Sequence, residues 1–557
     1  LVVDEQLIRR QAGASMRAIM GWVALGDRAW LMEAAADGFD ARPGGHAAMA
    51  RRIALERIPG VCDVVASYDS IAVHFMNPLD GGRVLARLES AARDVESAAV
   101  GQSGVLTVPV AYGGADGPDL ADVACALGMP QEEIVRLHSG GSYTVAAVGF
   151  SPGFPYLSGL PECLRLPRRA SPRRVAAGSV AIAGNQAGIY PTDSHGGWHV
   201  IGRTALEMFD PLRAEPALLK PGDRLRFTPG AATAVTKARC EVPTPTAGRV
   251  MEILEPGMLT TIQDIGRPGH QHIGVSPGGA ADPVMARVAN LLVGNPPDAA
   301  LLECCMQGPV LRVPQGSRVA WVGWDDMESG KPQEISNSRV LDMRGRMAVP
   351  HGYFAIAGGI DVPRVLGSRA TDLRAGFGGW HGRRLQAGDL LPLGMAGGGP
   401  RCGDWRVGWP VMPTPGGGIE LRFLRGVQSD WFTAGALDAF RGSSYRTTTR
   451  ADRTGARLDG PRLELSHPRE MVSQPVAAGS VQVPPDGLPI VLMSERQTIG
   501  GYPQIGHVIS ADLPLLARAW PGTDLRFREV SLDEARAAWR ALQQEIEMLQ
   551  TGLRMLE

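Results

Sequence analysis

From Val61 to Phe75 the chain reads VCDVVASYDSIAVHF, two apolar runs around a polar turn at Tyr68–Ser70. That pattern predicts a pair of strands, flanked by helix-like text at 45–57 and 82–98. The opening section is therefore expected to be an α+β lobe, bounded here as 16–103. From about 104 the texture changes. VLTVPV at 105–110 predicts a strand, followed by helices at 118–127, where Pro118 suits a first helical turn, and at 130–138. Short apolar alternations broken by Gly and Pro then run to Phe227, as expected for a β-barrel or sandwich over 104–230.

Two phrases recur in the same order. Gly-Ser-Val at 178–180 is followed by GIYP at 188–191 and PGDRLRF at 221–227; Gly-Ser-Val at 479–481 is followed by GGYP at 500–503 and PGTDLRF at 521–527. Gly178 to Pro221 spans 43 positions and Gly479 to Pro521 spans 42. A weaker closing phrase, AGDLLPL, stands at 387–393. Three closures predict three β-rich units, 104–230, 251–395 and 418–530, with Tyr502 as the counterpart of Tyr190. The stretches 229–249 and 395–418 lack periodicity and are expected to be linkers. In the last section, Ser531 and Glu534 form a capping box. Ala535, Trp539, Leu542, Ile546, Leu549, Leu553 and Leu556 then recur at spacings of 4 and 3, so 531–557 is expected to be a helix. Its seam packs either on its own barrel or on a second copy, and a homo-oligomer is expected.

Composition narrows the class. The chain has 557 residues, 44% hydrophobic and 20% charged, which is room for roughly three or four domains of about 100–200 residues. A formal net charge of −1 gives no reason to expect nucleic acid or an anionic membrane as partner. No apolar run approaches the roughly 18 residues of a membrane helix, and the seven scattered cysteines form no C-x-x-C. A cytoplasmic enzyme component is expected. Residues 1–15 are polar and read as an extension without a functional role. With three isolated lysines, Lys220, Lys237 and Lys331, a serine–serine–lysine amidase centre is excluded. There is no P-loop, no H-E-x-x-H and no biotinylated Met-Lys-Met, and H-Q-H at 270–272 alone is weak evidence for a metal, so none is expected.

GFSPGFPYLSGLP (149–161) and GSVAIAGNQAGIYPTDSHGGWHVIGRT (178–204) closely resemble the KipI family, also called allophanate hydrolase subunit 1. TTIQDIGRPGHQHIGVSPGGAAD (260–282), AIAGGIDVPRVLGSRATDLRAGFGG (355–379) and GSVQVPPDGLPIVLMSERQTIGGYP (479–503) resemble the KipA family, or subunit 2. The chain thus resembles a KipI–KipA fusion from about Met16 to Phe527. The resemblance implies a mainly β fold with repeated cyclophilin-like β-barrel units behind the α+β N-terminal lobe, ending in a helix. It also implies a component of an ATP-dependent 5-oxoprolinase that opens 5-oxoproline to glutamate with a LamB/YcsF-type partner. Alternatives are a urea-type carboxyltransferase fed by carboxybiotin on a separate carrier, with a biotin carboxylase, or a regulatory binder that inhibits a histidine kinase. ATP, with Mg, would then act at the level of the complex, and biotin would arrive on its carrier.

Within these motifs, Asn185 and Gln186 beside Tyr190 offer paired carboxamide donors and acceptors for a small amide, lactam or ureido group; a locally hydrogen-bonded turn is the other reading. Arg203 suits a carboxylate or phosphate, or a plain salt bridge. Phe154 and Tyr156 suit a pocket wall or a core. His195 is a general-base candidate set against an ordinary loop histidine. In the second half, Arg450, Asp452 and Arg453 offer cations with an orienting acid. Gln482, Arg496 and Gln497, with Asp486 and Glu495, form a polar cluster before Tyr502. Gln263, Asp264 and Arg267 read as a locked turn. Asn185, Gln186, Tyr190, Asp452 and Arg453 are taken as catalytic candidates, and Arg203, Phe154, Tyr156, Arg450, Gln482, Arg496, Gln497 and Tyr502 as substrate contacts, converging where the two halves face each other.

Overall fold

The computed structural model describes residues 21–33, 45–93, 104–169, 171–231, 248–337, 339–408, 418–469 and 471–557. The 1–15 extension, most of the expected linker 229–249 and positions 409–417 of the expected linker 395–418 lie outside these residues.

In the N-terminal lobe, strands Trp22–Ala24, Ala29–Glu33, Ser70–Phe75 and Val61–Ala66 form one antiparallel sheet in that order. Helices Gly45–Leu55 and Gly81–Arg93 accompany it. Met49, Ile53, Val73 and Val84 close its core. The two strands expected within 61–75 are both present, turning at the expected place.

The next body is a closed seven-stranded barrel. Around its wall run Val105–Tyr112, His199–Arg203, Ser179–Ala183, Gln186–Ile189, Pro155–Ser158, Tyr143–Val148 and Arg224–Pro229, and the last returns to the first in parallel. The body from 418 repeats this circuit: Ile419–Arg425, Gln504–Val508, Ser480–Gln482, Ile490–Leu492, Gly455–Asp459, Ser444–Thr447 and Asp524–Glu529, again closing on a parallel pair. The recurrent phrases have a backbone cause. Gly178 and Gly479 sit at φ +81° and +85°, and a Cβ on either would lie 2.2 Å from the Thr204 or Val508 carbonyl oxygen. Only glycine tolerates both the left-handed conformation and that approach.

Two expectations need correction. Residues 251–395 do not close into a third barrel. Among the described residues they form a four-stranded sheet (339–342, 310–313, 250–255, 390–392) and a five-stranded sheet (259–263, 301–305, 351–356, 317–322, 333–335). The two sheets share one core through Ile253, Leu311, Leu302, Trp321 and Phe354. The closing phrase at 387–393 is a strand-entry turn, and such a turn serves an open sheet as well as a barrel. Nor is Tyr502 the counterpart of Tyr190. Strand pairing sets Arg203 opposite Ser179 and His507 opposite Ser480, which aligns Tyr502 with Trp198. Tyr190 instead follows the strand Gln186–Ile189, and the similar spelling of GIYP and GGYP conceals this difference.

The C-terminal helix, Leu532–Arg554, starts on the expected capping box. Its seam faces the chain itself: Ala535, Ile546 and Leu553 are buried, and Leu549 packs on the helix Pro283–Leu292 side of the sandwich. Trp539 donates to Asn77 Oδ1 at 3.1 Å. Self-association through this seam is therefore closed off. The lobes are also stitched together: Ser67 Oγ donates to the Ser473 carbonyl at 2.7 Å, and Ser510 Oγ to Asp27 at 2.6 Å. Among the described residues no helix is long and apolar enough to cross a membrane.

Candidate functional site

Between the two barrels lies a cleft of about 860 Å³. One wall is the tight connection Ala183–Gln186 of the first barrel, with Pro167 and Arg168; the other carries Arg462, Arg469, Asp486 and Tyr502 of the second. Gly184 sits at φ +57°, which turns the chain sharply between two paired strands. The turn presents Asn185 to solvent and Gln186, 9% exposed, to the cleft floor. Tyr502, 39% exposed, faces them from the other barrel. The carboxamides thus stand at a cavity shared by both halves.

Beneath this floor is an aromatic cluster. Phe154 meets Tyr156, Tyr190 and Trp198 edge-on, with ring centroids at 4.9, 5.1 and 5.7 Å. Tyr68 from the N-terminal lobe reaches Tyr156 at 6.3 Å. Phe154, Tyr156 and Tyr190 are 2, 6 and 2% exposed, so the structure makes them the support of the site rather than its ligand-facing surface. Burial pushes the Tyr156 hydroxyl up to about 12 despite the nearby charge of Arg168. Ile499 of the second barrel inserts into the same cluster and fixes the barrels relative to each other.

Gln482 is buried; its Oε1 accepts from Gln497 Nε2 at 3.1 Å and its Nε2 donates to the Tyr502 carbonyl at 3.4 Å. Both glutamines therefore brace the segment that carries Tyr502. The remaining candidates are drawn away from the cleft. Arg453, 8% exposed, is bound by Glu303 and, at 2.7 Å, by Glu495. Burial opposes the charge on Glu303, but the Arg453 guanidinium and His351 hold its carboxyl well below the usual range. Asp452 accepts from the Thr454 and Gly455 amides at 2.8 and 3.0 Å and shapes the turn. Arg450 lies exposed on that turn, and Arg203 donates Nε to the Ala177 carbonyl at 2.9 Å. Arg496 points elsewhere, donating to Gln271 Oε1 at 2.5 Å. His195 is exposed on a short ribbon opposite Arg174. Asp264 takes the Gly266 and Arg369 amides at 2.7 and 2.6 Å, the locked turn expected of it.

Arg168, Arg462 and Arg469 were missed as cleft residues. Their signal in the sequence is faint: arginines beside prolines in LPRR and HPRE, where a broken backbone keeps long cations on a loop surface.

Two barrels of one topology meet across a cleft lined by Asn185, Gln186 and Tyr502. Residues 20–219 match the family described as carboxyltransferase domain, subdomain C and D, and residues 273–529 match carboxyltransferase domain, subdomain A and B. The chain belongs to this carboxyltransferase-domain family, with the C/D half and the A/B half fused in one polypeptide. It is 35% identical over 319 residues to the C component of the 5-oxoprolinase of Escherichia coli (strain K12), covering 54% of this chain and 97% of that one. It is 46% identical over 177 residues to the B component of the 5-oxoprolinase of Escherichia coli O157:H7, covering 31% and 79%. Urea amidolyase of Saccharomyces cerevisiae is 27% identical over 334 residues, which is 55% of this chain and 18% of that protein. The crystal structure of TTHA0988 superposes with a TM-score of 0.79 at 34% identity, covering 90% of this chain and 99% of that one.

Proposed function

We propose that the chain is the fused B-plus-C component of a 5-oxoprolinase-type complex and binds the lactam in the inter-barrel cleft. The observation that carries this reading is the placement of Asn185 and Gln186 across a shared cavity from Tyr502. A lactam presents one carbonyl acceptor beside one N–H donor, and a carboxamide pair complements both. Arg168 and Arg469 at the rim suit the carboxylate of 5-oxoproline. The neutral amides add no charge against an activated oxygen, and the aromatic floor excludes water beneath it. ATP, with Mg, supplies the phosphoryl group that activates the lactam oxygen, and is assigned to the complex with its LamB/YcsF-type partner.

A second reading is favoured by the carboxyltransferase description of both halves: carboxyl transfer from biotin, on a separate carrier served by a biotin carboxylase, to urea or a similar amide. A ureido ring would meet the same carboxamides. The deciding experiment is reconstitution. The chain plus a LamB/YcsF-type protein should release glutamate from 5-oxoproline only with ATP. Absence of glutamate there, with carboxylation of urea in the presence of a carboxybiotin carrier, would replace the first reading by the second.

A further inference from the structure

A second cavity, of about 240 Å³, shares no lining residue with the cleft. It is enclosed by the N-terminal lobe (Arg28, Cys62, His74), the sandwich (Gln271, Arg287), the second barrel (Ser494, Arg496) and the C-terminal helix (Trp539, Gln543). We infer that this cavity is a binding site for a small divalent oxyanion of the phosphate class, gripped by the guanidinium groups of Arg28, Arg287 and Arg496.

Among the described residues, none of the three arginines has a carboxylate within ion-pair distance; their neutral partners are Gln543 Oε1, 3.5 Å from Arg287, and Gln271 Oε1, 2.5 Å from Arg496. Arg496 is 4% exposed, and its Nε, like that of Arg28, is buried without a hydrogen-bond partner. His74 Nε2 and Gln543 Nε2 are buried and unpartnered as well. Asp27 is the carboxylate in the lining, and it is engaged by the Ser510 amide and hydroxyl at 3.0 and 2.6 Å. Asp63, behind Cys62, is engaged by His272 at 2.9 Å.

Burial keeps His74 neutral, its value pushed down to about 4, and pushes the Cys62 thiol up to about 12. Neither offsets the arginines. Three cations against one carboxylate leave an excess of two positive charges, the charge of hydrogen phosphate. Burying such an excess without a counter-ion is strongly unfavourable. Guanidinium forks match tetrahedral oxyanions in geometry as well as charge. Arg28 is already positioned, its guanidinium 4.3 Å above the Trp539 ring. Exposed Met76 and Ile265 at the rim leave the cavity an entrance.

The test uses the full chain in chloride buffer, titrated with sodium phosphate by calorimetry and thermal melting at constant ionic strength. Saturable one-to-one binding and a Tm that climbs with phosphate concentration are expected. Malonate, a divalent carboxylate, should bind at least tenfold more weakly. Arg496→Met and Arg287→Met should each weaken phosphate binding tenfold or more, while Asn185→Ala keeps wild-type phosphate affinity. Partly exposed Arg287 keeps the test open if the buried Arg496 variant does not fold. A phosphate response no greater than that of chloride, equal binding of malonate, or undiminished affinity in Arg287→Met would overturn the assignment.

Discussion

A residue's chemistry is fixed by its type, but its role follows from what surrounds it. Asn185 and Arg453 sit in equally polar motifs, yet one is presented to a cleft and the other is enclosed by Glu303 and Glu495. The same substitution logic therefore predicts opposite phenotypes. On the proposed reading, Asn185→Ala and Gln186→Ala each remove a neutral hydrogen bond to the lactam of about 1 kcal/mol, so each should lower kcat/KM of the reconstituted complex about fivefold. Asn185→Ala should leave the melting temperature unchanged. Arg453→Met leaves two buried carboxylates without their cation and should destabilise the fold by about 3–5 kcal/mol, read as a lower denaturant midpoint. A stable Arg453→Met protein with lost activity would reverse this assignment.

At the scale of elements, the C-terminal helix is the clearest case. Its capping box and apolar seam were legible in SLDE and in the 4–3 spacing, because both are local patterns. Which surface the seam would meet was not legible, since a coiled-coil partner and a barrel wall select the same residues. Ile546 is 6% exposed against the chain, whereas Met548 is 67% exposed. Ile546→Ala should cost about 2–4 kcal/mol in chemical unfolding, and Met548→Ala should stay within about 0.5 kcal/mol. The sandwich at 251–395 carries the same lesson. Its closing phrase matched those of the barrels, but whether a sheet closes depends on strand tilt and pairing across the whole body.

Across the whole molecule, three bodies each bury a neutral histidine: His74 in the N-terminal lobe, His138 in the first barrel and His507 in the second. Burial pushes them down to about 4, 3 and 4. An unfolded histidine titrates near 6.5. Between about pH 6.5 and 4 the unfolded chain therefore binds protons that the folded chain refuses, and stability falls with falling pH. The fall is about 1.4 kcal/mol per histidine per pH unit, with full stability kept above about pH 6.5. Melts between pH 7.5 and 5 should show a steep loss of Tm; a flat profile would contradict buried neutral imidazoles.

The sequence alone determined what depends on neighbours along the chain: strand periodicity, the left-handed glycines of the repeated phrases, the helix cap, and the long motifs that mark the family. Tertiary structure decided what depends on distance through space. It set Asn185 across a cleft from Tyr502, sealed Tyr190 under the floor, committed Arg453 to an ion cluster, and gathered Arg28, Arg287 and Arg496 from three different bodies. The reason is physical: backbone conformation is set within a few residues, whereas desolvation and charge compensation are set by whichever distant segments fold against a group.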